Sequence, residues 1–386
     1  MNKYQLTYED ACAISKEHND FNFYKKEYDV SGFKVVVFNY FLCGYKMFEK
    51  PIPERPEINA FDMRGVTFVF NKDDSLFRKY LMLPKFFNIN EVESTQYHLL
   101  ADKRIKSVTV KEDGSLIAFM MLPDGKIFAK TLGGFDNDQV KEAMKIFDLN
   151  TKMQIMVRTL LDGNITPMFE YVSFENKIVL NYAKPELKLI GLRDNRDHTY
   201  TPACNLYKEM LEAMDDSNIS YVKSIEGKSL LQLTELCAID ETIEGFVIEF
   251  EDGQLIKCKT KWYFNAHKFR DDVERENNVI KLIIEGKADD FLSFSDDVNF
   301  LNRISAIQDV INGYFINKTK EIENLCNCYN GDRKDFAIKY RLDKNFSMAI
   351  KYILDKKDIK LIISDYLISK TSKLSDARKF IKDGYI

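Results

Sequence analysis

The sequence predicts a mixed α+β protein, with an N-terminal domain of antiparallel sheets and flanking helices followed by an all-α C-terminal domain. Two observations lead to this fold class. From about residue 33 to residue 263, short apolar runs alternate with turn residues, which is typical of antiparallel strands. After about residue 271, apolar residues recur every three or four positions and proline is absent, which is typical of helices. We therefore predict two domains, at residues 1–270 and 271–386.

Each predicted strand of the first domain is a short apolar run that is bounded by turn residues. In chain order they lie at 33–45, 64–70, 105–110, 115–122, 126–132, 166–174, 177–182, 187–194, 244–253 and 254–260. Asp-Gly turns at residues 123–126 and 251–254 predict two β-hairpins. The run from Ser107 to Leu122 also reads as strand, turn and strand, with Lys111 at the end of the first strand.

Helices are predicted from apolar residues spaced three and four apart. Two lie between the strands of the first domain, at residues 137–148 and 205–216. Those of the second domain are predicted at 277–286, 302–325, 333–342, 347–357 and 359–370. Within the second domain, residues 333–341 and 351–360 combine several cations with interleaved acids. Such stretches fit phosphate contacts and ordinary solvated helix faces equally well.

Composition limits the classes of function. The 386 residues are enough for two domains, and the net charge of −4 disfavours a protein that coats nucleic acid nonspecifically. No run of eighteen apolar residues or apolar signal core is present, so we expect a cytoplasmic protein without membrane partners. Seven scattered cysteines favour a reducing compartment, and the lone Cys326–Cys328 pair is too small for a zinc site.

Lys111 begins a Lys-Glu-Asp-Gly stretch that has two interpretations. It is either ordinary turn chemistry or a reactive amine presented by a rigid sheet. A lysine nucleophile must lose its proton, which nearby cations favour. Lys257 and Lys259 lie on one face of an alternating strand and could supply that charge, although paired lysines are also common on solvated strand edges.

Further charged residues lie at the ends of predicted strands. Glu170 and Glu244 each follow or precede an apolar run, and carboxylates of this kind suit a divalent metal bound to a triphosphate. Arg64 precedes a glycine and a strand, and Lys85 lies in an aromatic loop. Taken together, these cations and acids predict a nucleotide site.

The order of several short segments resembles that of the bacteriophage ATP-dependent RNA ligases of the tRNA-repair type, within the covalent nucleotidyltransferase superfamily. The resemblance extends nearly from end to end of the chain. The segments are FNY (38–40), RGV (64–66), KFFNINE (85–91), KEDGSL (111–116), FEYV (169–172), KIVL (177–180), IEGFV (243–247), KCKTKWY (257–263) and ADDF (288–291). The resemblance implies that residues 1–270 form an adenylyltransferase domain.

The resemblance also implies roles for individual residues around the motif. Lys111 is the nucleophile that takes AMP from ATP as a lysyl phosphoramidate. Asp113 belongs to the same motif and helps to orient the site and its metal. Lys257 and Lys259 hold the α-phosphate and assist catalysis. Glu244 serves the divalent metal.

The remaining implied contacts are to the nucleotide and the metal. Glu170 corresponds to the acid that binds the ribose, and Arg64 and Lys85 to contacts with the ribose and the leaving pyrophosphate. Lys130 falls in a further nucleotide-binding segment, although its spacing to the following glycine is one residue longer than in the family. Asp289 and Asp290 match an acidic pair that could contact the metal, or they are a solvated helix end.

The implied activity is ATP-dependent joining of RNA 5′-phosphate and 3′-hydroxyl ends, with Mg²⁺ as cofactor and Mn²⁺ as a substitute. The implied substrate is broken tRNA, recognised with the help of the helical domain and prepared by a companion kinase and phosphatase. The resemblance further implies a monomer in the host-cell cytoplasm, if the protein is phage-encoded.

Two alternatives remain. DNA ligases and mRNA-capping enzymes share Lys-x-Asp-Gly, but normally continue into a small strand-built oligonucleotide-binding domain, which the helical pattern here disfavours. A noncatalytic RNA- or nucleotide-binding protein would be marked by loss of the lysine or of a metal acid, and neither is missing.

Overall fold

The computed structural model describes residues 4–173, 182, 184–206, 208–266, 275–286, 288 and 298–384. The chain divides into two compact units, Met1–His267 and Lys268–Ile386. The described part of the first unit combines three sheets with helices, and the described part of the second contains helices without strands. The predicted α+β class, with antiparallel sheets first and helices after them, is confirmed for these residues.

The described strands of the first unit form three sheets. Their bounds are β1 (Phe23–Val30), β2 (Phe33–Tyr40), β3 (Thr67–Phe70), β4 (Leu76–Tyr80), β5 (Phe87–Asn88), β6 (Ile105–Lys111), β7 (Ser115–Met121), β8 (Ile127–Lys130), β9 (Ile165–Val172), β10 (Glu186–Asp194), β11 (Tyr200–Pro202), β12 (Gly245–Phe250) and β13 (Leu255–Lys259). The strand orders are β1-β2-β3-β4, β5-β13-β12-β6 and β11-β10-β9-β7-β8. Neighbouring strands are antiparallel except for the short parallel pair of β5 and β13.

The helices of the first unit have bounds α1 (Tyr8–Glu17), α2 (Tyr45–Glu49), α3 (Tyr97–Leu100), α4 (Asp138–Leu149), α5 (Thr151–Asp162), α6 (Lys208–Asp215), α7 (Leu230–Ile239) and α8 (Lys261–Ala266). The two helices predicted between the strands are confirmed as α4 and α6. The side chain of Asn137 accepts the backbone N–H of Val140, which fixes the start of α4.

The first sheet begins with a tight hairpin between β1 and β2. Its two loop residues, Ser31 and Gly32, have φ angles of 55° and 80°, as a type I′ turn requires. One face of this sheet packs against α1, where the ring of Tyr8 contacts Phe38 and Phe68 edge to face. This cluster covers one face of the first sheet, whereas Val35 and Val69 on the other face belong to the core that the third sheet shares.

The two predicted Asp-Gly hairpins are confirmed. β7 and β8 pair through a turn in which Gly125 has a φ of 83°, and β12 and β13 pair through one in which Gly253 has a φ of 81°. A side chain is strained at such angles, so glycine is the favoured residue at both positions.

The hairpin predicted across residues 107–122 is wrong. β6 belongs to the second sheet, beside β12, whereas β7 belongs to the third sheet, between β9 and β8. Each apolar run finds its partner far along the chain, since Val108 lies opposite Ile248 and Ile117 lies opposite Phe169. The turn that follows Lys111 therefore crosses from one sheet to another.

The helices described in the second unit have bounds α9 (Glu276–Ile284), α10 (Val298–Cys326), α11 (Arg333–Tyr340), α12 (Phe346–Ile353), α13 (Ile359–Lys370) and α14 (Leu374–Asp383). The five predicted helices of this region are confirmed, and α14 was not predicted. Ile307, Ile311 and Phe315 of α10 are buried, and this helix packs against α9, α12 and α13. Across the part of the chain that is described, no helix has the length and apolar character needed to cross a membrane.

Candidate active site

Lys111 lies at the end of β6, directly opposite Gly245 of β12. A Cβ atom at position 245 would lie 2.1 Å from the carbonyl oxygen of Cys258. On the other side of the turn, a Cβ atom at Gly114 would lie 2.2 Å from the carbonyl oxygen of Tyr171 in β9. Both positions accept only glycine without movement of the backbone, so close packing fixes the chain on either side of Lys111.

The amines of Lys111 and Lys259 share one carboxylate. Nζ of Lys111 lies 2.9 Å from Oε2 of Glu244, and Nζ of Lys259 lies 3.0 Å from Oε1. The Glu244 side chain is 3% exposed, whereas that of Lys111 is 23% exposed. A buried carboxylate needs such partners because an isolated charge in the interior is strongly unfavourable. We name this arrangement of Lys111, Glu244 and Lys259 the carboxylate bridge.

The carboxylate bridge differs from the sequence-based expectation. The sequence predicted that cations crowd the Lys111 amine, whereas the structure places the acid of Glu244 between the amine and Lys259. The two lysines are nevertheless close, as predicted. Lys111 and Lys259 both lie opposite Gly245 and so point to the same face of the second sheet.

Lys257 and Lys259 lie on this face of β13, and the residue between them is buried on the other face. The ammonium group of Lys257 lies 5.0 Å from the centre of the Phe86 ring, and that of Lys259 lies 5.3 Å from the centre of the Tyr263 ring. Contacts of this kind hold a cation through the negative face of the ring. The predicted alternation of the strand is confirmed.

Asp113 is fully buried and points away from solvent. The hydroxyl of Tyr263 donates to its carboxylate at 3.1 Å, and its backbone N–H donates to the hydroxyl of Tyr182 at 2.9 Å. These contacts tie the turn after Lys111 to residues far along the chain. The geometry suits an acid that organises the turn.

Glu170 lies in β9, opposite Leu116 of β7 and Lys188 of β10. Burial raises the pKa of its carboxyl to about 8, even though the charges of Lys111 and Arg64 act in the opposite direction. The carboxyl is therefore largely protonated at pH 7 and can donate a hydrogen bond as well as accept one.

The raised pKa of Glu170 leads to a prediction about stability and pH. Below pH 4.5 the carboxyl is protonated in both the folded and the unfolded chain. Between pH 4.5 and 8 only the unfolded chain releases this proton, so the wild type loses stability relative to Glu170→Gln as the pH rises. At pH 8 we expect the free energy of unfolding of Glu170→Gln to exceed that of the wild type by roughly 1–3 kcal/mol.

Urea unfolding of both proteins at pH 5 and pH 8 measures this difference. Glu235→Gln, at an exposed position in α7, is the matched control. A gap between Glu170→Gln and the wild type that is equal at the two pH values, or larger at pH 5, would contradict the assignment of a protonated Glu170.

Arg64 lies shortly before β3, Lys85 lies between β4 and β5, and Lys130 is the last residue of β8. The guanidinium of Arg64 donates to the carbonyl of Leu83 at 3.1 Å. Lys85 is buried, with its ammonium group over three rings at 5.0, 5.6 and 5.8 Å from the ring centres of Phe87, Tyr40 and Phe48.

Lys130 is also buried. Its amine donates to the carbonyl of Gly65, the residue after Arg64, and lies 3.3 Å from the sulfur of Met82. Burial lowers its pKa to about 7. The structure therefore places Lys130 against the backbone of the Arg64 segment.

The predicted acidic pair, Asp289 and Asp290, lies outside the described residues. Among the residues that are described, no group of three or more His, Cys, Asp or Glu side chains is arranged to hold a metal ion.

Residues 62–273 match the sequence model of the RNA ligase family. The match covers more than half of the chain and includes every residue of the carboxylate bridge. The chain belongs to the RNA ligase family.

Two relatives are identical to this chain at about a quarter of the aligned positions. A protein of Thermovibrio ammonificans, named as a candidate RNA ligase, is 24% identical over 310 residues, which are 78% of this chain and 77% of the relative. A protein of Autographa californica nuclear polyhedrosis virus, named as a candidate bifunctional polynucleotide kinase/RNA ligase, is 25% identical over 323 residues. That alignment covers 75% of this chain and 44% of the viral protein, so the chain spans less than half of that relative.

Solved structures of RNA ligases show a weaker likeness to this family member. An archaeal ATP-dependent RNA ligase is 11% identical, with 96% of this chain and 81% of that chain covered and a TM-score of 0.46. An RNA ligase of Naegleria gruberi is 16% identical, with 48% of this chain and 57% of that chain covered and a TM-score of 0.39.

The sequence alone did not identify Tyr182 and Tyr263, the two aromatic residues that contact Asp113 in the turn after Lys111. Tyr263 was part of the segment that carries Lys257 and Lys259, and its hydroxyl contacts Asp113. The signal available was a tyrosine four residues after a lysine of an alternating strand, which is too common to single out. Tyr182 gave no signal of its own.

Proposed function

We propose that this protein is an ATP-dependent RNA ligase that joins a 5′-phosphate end of RNA to a 3′-hydroxyl end. The carboxylate bridge carries the proposal, because it brings Lys111 and Lys259 onto one carboxylate within the segment that matches the RNA ligase family. The bridge fixes a partly exposed amine beside a second cation. A nucleophilic lysine must be uncharged, so Lys111 gives up its contact with Glu244 and its proton before it attacks a nucleotide phosphate, and Lys259 remains beside it as a cation.

In the first step, the uncharged amine of Lys111 attacks the α-phosphorus of ATP. A phosphorus–nitrogen bond forms, the bond from the α-phosphorus to the bridging oxygen breaks, and pyrophosphate leaves with the electron pair. The proton of the amine passes to solvent. Lys257 and Lys259 stabilise the negative charge that develops on the α-phosphate.

In the second step, an oxygen of the RNA 5′-phosphate attacks the phosphorus of the lysyl-bound AMP. The phosphorus–nitrogen bond breaks, Lys111 regains a proton, and the RNA end now carries AMP through a pyrophosphate bond. In the third step, the 3′-hydroxyl attacks the 5′-phosphate, AMP leaves, and the strand is sealed.

We assign roles to the remaining residues of the site, some as nucleotide contacts and others as supports of the backbone. Glu170 binds the ribose, since a protonated carboxyl can donate to one hydroxyl and accept from another. Arg64 lies close enough to Glu170 to influence its pKa and is assigned to the same end of the nucleotide. Lys85 is assigned to the leaving pyrophosphate, and Lys130 to support of the Arg64 segment. Asp113 holds the turn through Tyr263.

A divalent ion fits this site as one that is shared with substrate phosphates. Mg²⁺ is commonly held by one or two carboxylates together with phosphate oxygens and water, so three protein ligands are not needed. Glu244 would hold the ion, Asp289 and Asp290 stay predictions, and Mn²⁺ is expected to replace Mg²⁺. When bound, such an ion offsets the negative charge of the phosphates.

For the natural substrate we propose tRNA broken in or near its anticodon loop. The helical second unit is assigned to its recognition, and the exposed cations Arg333 and Lys334 at the start of α11 are available for phosphate contacts. The name of the viral relative, which joins a kinase to a ligase, supports a companion enzyme that prepares the RNA ends. A monomeric state, a bacteriophage origin and a site of action in the host cytoplasm stay predictions.

The wild-type protein tests the proposal. Incubated with Mg²⁺ and ATP labelled on the α-phosphate, it should become labelled, and later addition of RNA with 5′-phosphate and 3′-hydroxyl ends should release AMP and give joined RNA. GTP with the same label is the nucleotide control. A tRNA broken in its anticodon loop should be sealed faster than an unstructured RNA of equal length. Failure to take up the label or to join either RNA would contradict the proposed function.

A further inference from the structure

The turn that follows Lys111 connects two strands that do not pair with each other. β6 ends at Lys111 in the second sheet, and β7 starts at Ser115 in the third. The turn is therefore not fixed by hydrogen bonds between the two strands that it connects, as a hairpin turn would be. Other contacts must set the direction in which Lys111 leaves the sheet.

Glu112, the residue directly after Lys111, is held from two sides. Its Oε1 atom lies 2.9 Å from Nζ of Lys188, and its Oε2 atom accepts a hydrogen bond from the hydroxyl of Tyr182 at 3.1 Å. The same hydroxyl accepts the backbone N–H of Asp113 at 2.9 Å. The ammonium group of Lys188 lies 5.2 Å from the centre of the Tyr182 ring. Glu112, Tyr182 and Lys188 thus form a closed set of contacts, which we call the turn clamp.

The turn clamp connects the turn to the third sheet. Lys188 lies in β10, opposite Glu170 of β9, and therefore points to the same face of the sheet as Glu170. The side chains of Lys188 and Glu112 are 21% and 12% exposed. An ion pair shielded to this degree, and supported by a hydroxyl, restricts its partners more than an exposed pair does.

We propose that Glu112, Tyr182 and Lys188 are positioning residues that aim the amine of Lys111 at the nucleotide. The proposal rests on the proposed function and adds three residues to it. The clamp fixes both the side chain after Lys111 and the next backbone N–H, so it defines the path of the turn. Small errors in the placement of a nucleophile are costly, since a shift of about 1 Å can slow a reaction by roughly 100-fold.

The proposal predicts an effect on one step of the reaction. Lys111 forms a bond in the first step but none in the third, in which the 3′-hydroxyl attacks RNA that already carries AMP. Lys188→Met should therefore slow labelling of the protein by about tenfold or more at saturating ATP. The KM for ATP should stay within about twofold, because Lys188 is not assigned to ATP. Sealing of pre-adenylylated RNA should change by less than about threefold.

Further variants separate positioning from a general role in stability. Lys188→Arg keeps the ion pair and should restore most of the labelling rate. Tyr182→Phe removes one hydroxyl and should give a smaller loss than Lys188→Met. Because Glu112 and Lys188 act together, the double variant Glu112→Gln/Lys188→Met should be no slower than the worse single variant.

The matched control is Lys103→Met. Lys103 forms an ion pair with Asp252 at 2.6 Å near the start of β6, at the opposite end of that strand from Lys111. This variant should label at the wild-type rate. Thermal melting of each variant checks that the fold persists, and Tyr182→Phe provides the test should Lys188→Met not fold.

Results other than those expected overturn either the role of the turn clamp or the proposed function. Normal labelling by folded Lys188→Met, or by folded Tyr182→Phe, would overturn the proposal. Equal losses of labelling and of sealing would also overturn it, since the residues would then support the whole site. A wild-type protein that takes no label refutes the proposed function itself, and the turn clamp loses its role with it.

Discussion

Lys111→Ala is expected to take up no label from ATP labelled on the α-phosphate. The reaction needs an amine that forms a bond to phosphorus, and a methyl group cannot replace it. We expect the labelling rate to fall by more than about 1,000-fold, as for loss of other enzyme nucleophiles. The side chain is partly exposed and Lys259 still contacts Glu244, so the melting temperature should change by only a few degrees. Denaturing gels that detect covalent label measure the effect.

Two comparisons make this experiment specific. Lys145→Ala removes an exposed lysine that contacts Glu142 at 2.6 Å on α4, and it should label like the wild type. Lys111→Ala should also retain sealing of RNA that already carries AMP, because that step uses no bond to Lys111. A folded Lys111→Ala protein that becomes labelled would show that another residue is the nucleophile.

Local pattern predicted the strand of the paired lysines well. The alternation of Lys257 and Lys259 with apolar residues is a property of one strand, and the Asp-Gly turn at residues 251–254 sets its hairpin. Both signals lie within about ten residues. The same reasoning identified five of the six helices described in the second unit, whose apolar spacing is also local.

The crossing between the sheets could not be predicted in this way. Val108 and Ile117 lie in runs that look like two arms of one hairpin, yet their partners are Ile248 and Phe169. Competition between a near partner and distant ones is decided by packing of the whole unit, which a single run of residues does not encode.

For the charged residues of the site, too, the local sequence predicts one part and the packing of the whole unit determines the other. The sequence indicated which residues carry charge, but only burial sets the pKa of Glu170 to about 8 and that of Lys130 to about 7. The contact of Lys111 with Glu244 joins residues 133 positions apart. The sequence therefore predicted that these cations and acids share a site, but not that Glu244 lies between the amines of Lys111 and Lys259.

Glu244→Gln is expected to lower the rate of labelling by roughly 100-fold or more at saturating ATP. The amide has a similar shape, but it carries no charge and has one acceptor oxygen, so it cannot hold both ammonium groups. Lys111 and Lys259 then lose their common partner while they stay close to each other. We also expect the variant to need more Mg²⁺, since an amide is a weaker ligand for a hard cation than a carboxylate.

Loss of a buried acid can also affect folding, so the variants are chosen to separate the two effects. Removal of one partner from a buried ion pair costs about 3–5 kcal/mol, and less is expected here because Lys111 is partly exposed. Glu244→Asp keeps the charge but shortens the side chain, and it should retain more stability than labelling activity. Glu142→Gln removes the acid of an exposed pair and is the matched control for loss of a carboxylate. If folded Glu244→Gln labelled within about twofold of the wild type, the carboxylate bridge would be a structural ion pair and the nucleophile would be held by other groups.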